Sequence, residues 1–207
     1  MVITIDGPGG TGKSTTAELL AKRLGYYHLN SGTLYRWITF NALQQHLDLN
    51  DSDVLLKLAQ TLDYTNIDYS ILHEQSISNN VAKVASIPSI RAEIVEVQRN
   101  YAKDKNIVVE GRDIGTVVFP DADYKFYFTA SLDIRAKRRY AQMQKQGLEV
   151  NYENILESIA KRDRKDIERE HSPLRKAEDA IEINTDNLTV LDGIEIILQE
   201  MKHLSTQ

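Results

Sequence analysis

The stretch Gly-Pro-Gly-Gly-Thr-Gly-Lys-Ser-Thr at positions 7–15 constrains this chain more than any other feature, because of what flanks it. Before it, residues 2–5 (Val-Ile-Thr-Ile) form a short β-branched run that reads as a buried strand. After it, Ala17, Leu20, Ala21 and Leu24 recur at the spacing of one helix face. A strand, a turn of the form G-x-x-x-x-G-K-[ST] and a helix, in that order, is the P-loop arrangement. Glycine lets the backbone curl so that successive N–H groups point inward at an anion, and the helix N-terminus adds its positive end. In this pattern Lys13 reaches the transferring phosphate and the Ser14 hydroxyl can ligate Mg²⁺. Gly7, Pro8, Gly9, Gly10, Thr11, Gly12 and Thr15 complete the loop expected to hold ATP. A glycine-rich turn that merely joins a strand to a helix is the alternative, and the flanking pattern weighs against it.

The rest of the chain continues the alternation. Gly25 is placed to stop the first helix. Further strands are expected at 26–29, 107–110, 124–129 and 180–184, and a last helix carries Leu191, Ile194, Leu198 and Met201 as its apolar stripe. Strands separated by helices predict an α/β, three-layer P-loop fold with a five-stranded parallel sheet and helices on both faces. The gap between the second and third strands is too long for a simple crossover. Residues 33–105 are therefore expected to form an inserted lobe, and 135–176 two charged helices meeting near Gly147, on a single core spanning 1–207.

Composition narrows the chemistry. The 207 residues contain no cysteine, which excludes a disulfide framework, thiolate catalysis and cysteine-ligated metal centres. The net charge is −5, yet twelve basic and only seven acidic side chains fall within 135–176. Whole-chain acidity argues against non-specific nucleic-acid binding. The basic segment suits either a small anionic partner or a solvated helix face. The five histidines show no metal-ligand spacing. No apolar run approaches the roughly 18 residues of a spanning helix, and no targeting segment is evident, so no membrane association and a cytoplasmic location are expected.

A P-loop alone leaves phosphoryl transfer to a small molecule, a GTPase switch and an ATP-driven machine open. No N-K-x-D or L-S-G-G-Q motif occurs, and no standard motor-type Walker B. The inserted lobe and the basic segment favour a small-molecule kinase, which must close over both substrates to keep water out. A P-loop regulator that acts on no acceptor is the rival. Acceptor groups are expected where strands end. Ser31, Tyr35 and Arg36 follow the second strand; Gly111, Arg112 and Asp113 follow the third. Arginine forks suit an acceptor phosphate, although Arg36 is also compatible with a surface helix, and Arg112–Asp113 with a local ion pair. Spacing at i, i+4 and i+7 puts Arg162, Asp166 and Arg169 on one helix face. Asp166 there either orients the arginines or meets a ribose hydroxyl; a salt-bridged, solvated helix is the plainer reading.

Assembled, these motifs resemble the bacterial cytidylate kinases among the nucleoside monophosphate kinases. The most specific match is Gly-Arg-Asp-Ile-Gly-Thr-Val-Val-Phe-Pro-Asp-Ala at 111–122. It is joined by 7–14, Ser-Gly-Thr-Leu-Tyr-Arg at 31–36, Ala-Ser-Ile-Pro-Ser-Ile-Arg at 85–91, Arg-Ala-Lys-Arg-Arg at 135–139, the run 162–169 and Ser-Pro-Leu at 172–174. The resemblance implies a core, an acceptor-binding lobe and a helical lid, acting as a monomer that moves the ATP γ-phosphoryl group to CMP and dCMP with Mg²⁺. It implies that Arg36, Arg112 and Arg169 clamp the acceptor phosphate, with Lys13, Arg112, Asp113 and Arg169 as catalytic groups. Arg91 and Asp113 would read cytosine, Arg162 and Asp166 lie near the sugar, and Arg135, Arg138 and Arg139 belong to the ATP side. The chain departs from the family pattern in Asn30, where Asp is usual, in Ala82, where some relatives place a serine (Ser86 is nearby), and in a shortened stretch between Asp63 and Ser76.

Overall fold

Five apolar segments become strands because each is short, rich in β-branched or aromatic residues, and closed by a glycine or a polar turn. They are β1 (Val2–Asp6), β2 (Tyr27–Asn30), β3 (Ile107–Gly111), β4 (Tyr124–Thr129) and β5 (Ile181–Asn184). The computed structural model, which describes residues 1–205, orders them β2-β3-β1-β4-β5 in one parallel sheet. The register is continuous: Ile3 pairs with Val108 on one side of β1 and with Tyr124 on the other. The sequence-based boundaries hold to within about a residue at each end.

The chain divides into two compact units, 1–29 with 105–205, and 30–104. In the first, α1 (Lys13–Leu24) and α8 (Val190–Leu204) pack on the sheet through Ala17, Leu20, Ala21, Ile194 and Ile197, against Ile3, Ile5, Val108, Phe126, Phe128 and Ile183. Gly25 ends α1 in the left-handed conformation at φ 68°, and Thr189 opens α8 with a reciprocal capping box to Asp192. The charged segment forms α6 (Leu132–Lys145) and α7 (Tyr152–Glu168). Tyr140 meets Tyr152 edge to face, and the Tyr152 hydroxyl donates to Asp133. One expectation fails at the end of α7. Arg169 is the residue after the helix, with extended backbone, so it does not share a helix face with Arg162 and Asp166. The Asp166 carbonyl accepts from the amide of Leu174 instead of from the next helical turn, which folds the chain back through Ser172 at φ 52°.

The second unit is helical: α2 (Ser31–Gln44), α3 (Ser52–Thr61), a short 3₁₀ turn (Ile71–His73), α4 (Gln75–Val84) and α5 (Pro88–Ala102). Its core joins Leu34, Ile38, Leu55, Leu72, Ile77, Val84, Ile90 and Ile94. Asn30 caps α2 by accepting from the Gly32 amide, Asp51 caps α3, and Pro88 occupies a first-turn position in α5 where no amide is needed. No helix among the described residues is long and apolar enough to cross a membrane.

Candidate active site

The phosphate loop is shaped by contacts that only glycine tolerates. At Gly7, φ is 145° and a Cβ would lie 2.2 Å from the Phe128 carbonyl oxygen; at Gly10, φ is 83° and a Cβ would lie 3.0 Å from the Arg135 Cβ. Lys13 is almost wholly buried and its Nζ donates to the Pro8 carbonyl at 3.0 Å. Burial lowers its ammonium to about 7, helped by the nearby Arg112 and Arg162 charges and opposed by Glu110 and Asp6. Thr11 Oγ1 also donates to Pro8, closing the loop on itself.

Ser14 Oγ donates at 2.7 Å to Glu110 Oε2, at the end of β3. Glu110 is buried. Burial pushes its carboxyl up, but His28, Lys13 and the Ser14 hydroxyl outweigh that and hold it below the ordinary range. Its second oxygen, Oε1, is buried without a hydrogen-bond partner, 3.8 Å from His28 Nε2. A hydroxyl beside a carboxylate with a spare hard oxygen is a donor set suited to Mg²⁺.

Five arginines of the first unit are held by named partners. Arg112 Nε donates to Asp166 Oδ2 at 2.9 Å and its Nη1 to the Gly111 carbonyl; Gly9 lies beside its Nη2. Arg169 donates through Nε to the Ser172 carbonyl and places Nη2 3.8 Å from Asp113 Oδ1. Of the three clustered arginines on α6, Arg135 is buried and ties together the Gly9 and Ala130 carbonyls and, at 2.6 Å, Asp163. Arg138 reaches the hydroxyl and carbonyl of Thr185, and Arg139 bonds to Gln142 at the surface. Thr185 in turn donates to the Thr11 carbonyl at 2.9 Å, so β5 braces the phosphate loop.

In the second unit, Ser31 opens α2, with Tyr35 and Arg36 on its next turn. Arg36 donates to the Leu72 carbonyl and to Ser78 Oγ. Arg91, on α5, is buried with its guanidinium 5.5 Å from the centre of the Tyr35 ring and Nη1 on the Ala85 carbonyl. Asp6, Glu110, Asp163 and Thr185 are the groups that the sequence reading did not nominate. Two of them share a signal: both Asp6 and Glu110 are acids that close an apolar strand directly before a glycine.

The sequence model of the family described as cytidylate kinase matches residues 3–203. The chain belongs to that family. Cytidylate kinase from Bacillus subtilis strain 168 is 40% identical over 220 residues, covering 98% of this chain and 97% of its own. That from Caldanaerobacter subterraneus subsp. tengcongensis is 42% identical over 210 residues, covering 97% and 94%. Among solved structures, a gluconokinase from Sinorhizobium meliloti 1021 aligns with TM-score 0.52 at 13% identity over 98% of this chain and 92% of its own. Shikimate kinase from Bacteroides thetaiotaomicron aligns with TM-score 0.51 at 12% identity over 100% and 99%. These two share the fold. Against the cytidylate kinase pattern, Asn30 is used as the α2 cap, Ala82 is exposed on α4, and Ser86 Oγ bonds to the Lys83 carbonyl.

Proposed function

We propose that this chain is an ATP-dependent kinase that transfers the γ-phosphoryl group to CMP and dCMP, giving CDP and dCDP. The full-length match to the cytidylate kinases carries this reading. An oxygen of the acceptor phosphate attacks the γ-phosphorus, the bond from that phosphorus to the β-bridging oxygen breaks, and ADP leaves with the electron pair. The acceptor is already anionic, so no strong base is required; catalysis lies in positioning and in stabilising charge. Lys13 and the loop amides take the donor phosphates. Mg²⁺, when bound, neutralises phosphate charge, and Ser14 Oγ with the Glu110 carboxylate are the donors that would hold it.

Arg36, Arg112 and Arg169 are assigned to the acceptor phosphate, Arg91 and Asp113 to cytosine, and Arg162 and Asp166 to the sugar side. The carboxylates that hold Arg112 and Arg169 support the assignment, since they keep two forks oriented and can yield them to a phosphate. Residues 33–105 serve as the acceptor lobe and 135–176 as the lid, in a monomeric, cytoplasmic enzyme. Arg139 is the α6 arginine whose exposure suits a lid contact to ATP, whereas Arg135 and Arg138 shape the loop from behind.

An ADP-release assay with CMP, dCMP, UMP, AMP, GMP and shikimate tests the reading: CMP and dCMP should give the highest kcat/KM. ATP turnover indifferent to every acceptor would refute it. In the same assay Lys13→Ala should lower kcat by about 10²–10⁴, the range for losing a transition-state charge contact.

A further inference from the structure

Asp6 closes β1 and sends its carboxylate to the turn that follows β3. Oδ1 accepts from the Ile114 amide at 2.9 Å and Oδ2 from the Gly115 amide at 2.7 Å. These are the first amides of a single wide π-type turn over Ile114–Val118, the donors that the start of a helical turn leaves without an internal partner. The residue ordinarily placed to satisfy them is the one before the turn. Here that is Asp113, an acid of the type that caps well. Yet the Asp113 side chain makes no capping hydrogen bond to the turn, and its carboxylate stands 3.8 Å from Arg169.

We propose that Asp6 is a positioning residue for acceptor recognition: by capping the turn from β1, it keeps Asp113 directed at Arg169 and available to the acceptor nucleotide. The proposal rests on the acceptor role given to Asp113 above and deepens it. The fit around Asp6 is close. A Cβ on Gly115 would lie 3.0 Å from Thr4 Oγ1 and 3.5 Å from Asp6 Oδ2, so the turn lies directly on β1. Asp6 is buried, and burial raises its carboxyl to about 6 although both amides pull it down. The titratable groups facing it are Asp113 on the turn, Lys13 on α1 and Tyr127 on β4. An ionised carboxylate kept in such surroundings is unfavourable unless its hydrogen bonds are needed. Without it, the two amides offer Asp113 a local cap, and taking that cap turns the carboxylate away from Arg169.

Asp6→Asn keeps the size and replaces one acceptor with a donor facing an amide. The expected result is a fall in kcat/KM for CMP of about 10- to 100-fold, the range for a hydrogen bond to a charged group, with the KM for ATP changed by less than about threefold. The decisive measurement is a double-mutant cycle. If Asp6 acts through Asp113, the Asp6→Asn/Asp113→Ala enzyme is no worse than Asp113→Ala alone. Multiplying losses, or an equal loss in ATP binding, overturn the proposal. Carbon-detected NMR of the wild type gives a reading that needs neither a variant nor turnover. The Ile114 and Gly115 amides and the Asp113 carboxyl carbon should shift together with the Asp6 carboxyl carbon as pH passes through about 6. An Asp113 signal that ignores the Asp6 titration overturns the proposal. A wild type that phosphorylates no acceptor refutes the proposed function, and the coupling of Asp6 to Asp113 is then still decided by the NMR reading.

Discussion

Lys13 gives the sharpest prediction because its chemistry changes on binding. In the nucleotide-free protein its ammonium is depressed to about 7, first by burial and then by Arg112 and Arg162. A bound triphosphate brings several negative charges to the same place, which favours the charged amine and returns it toward its ordinary value near 10.5. At about pH 8.5 the free protein then has roughly 3% of Lys13 protonated and the complex nearly all of it, so binding takes up close to one proton. Phosphate is already fully ionised at that pH, its second ionisation lying near 6, and does not contribute. The sign follows from linkage: a group whose affinity for protons rises on binding makes the complex weaker as pH rises. ATP affinity should therefore fall between about pH 7 and 10, by up to about tenfold per unit. Isothermal titration calorimetry with ATP and EDTA, in two buffers of different ionisation enthalpy, reads the proton count directly. Lys13→Arg, which stays charged, should show almost none. An uptake below about 0.3 proton per ATP at pH 8.5, or the same uptake in Lys13→Arg, would refute the argument that burial sets the charge of this amine.

Three other outcomes test separate parts of the structure. Asp166→Ala removes the carboxylate holding Arg112 and should raise the KM for CMP by about 5- to 20-fold, with little change in the KM for ATP, as read from initial rates at saturating co-substrate. Gly10→Ala puts a Cβ against Arg135 at a positive φ and should destabilise the loop by about 1–3 kcal/mol, seen as weaker binding of a fluorescent ATP analogue. Ile197→Ala empties a fully buried position between α8 and the sheet and should lower unfolding stability by about 2–5 kcal/mol in urea, without altering the ratio of CMP to dCMP use.

The strands and the phosphate loop were legible in the sequence because their signals are local. Apolar runs of four to six residues end at glycine or polar turns, and the loop carries its own spacing. The last turn of α7 was not. Periodicity continues through Arg169, but the Ser172-Pro173 pair and the bond from the Leu174 amide to the Asp166 carbonyl draw the chain out of the helix. The contacts of the arginine cluster were not legible either. Arg135, Arg138 and Arg139 share one side of α6 at i, i+3 and i+4, yet their long side chains end on a loop carbonyl, on Thr185 and at the surface. The bracing groups were hidden by distance along the chain. Asp6 acts 108 residues away, Glu110 meets Ser14 across 96, and Thr185 meets Thr11 across 174. No periodicity within a single element encodes such partners.

The position of β1 has a consequence for synthesis. It is the central strand of the sheet, flanked by β3 and β4, and Thr185 closes its loop from beyond β5. The nucleotide cradle therefore precedes β3, β4 and β5 as the chain emerges, and β1 must wait for about a hundred further residues before its first neighbour can pair. Long-range pairing of this kind slows folding and leaves apolar strand edges exposed in the interval. The phosphate loop, made before β3, β4 and β5, is thus among the last parts to become functional, and a chain cut short before Thr185 would carry the whole phosphate-loop motif without its brace.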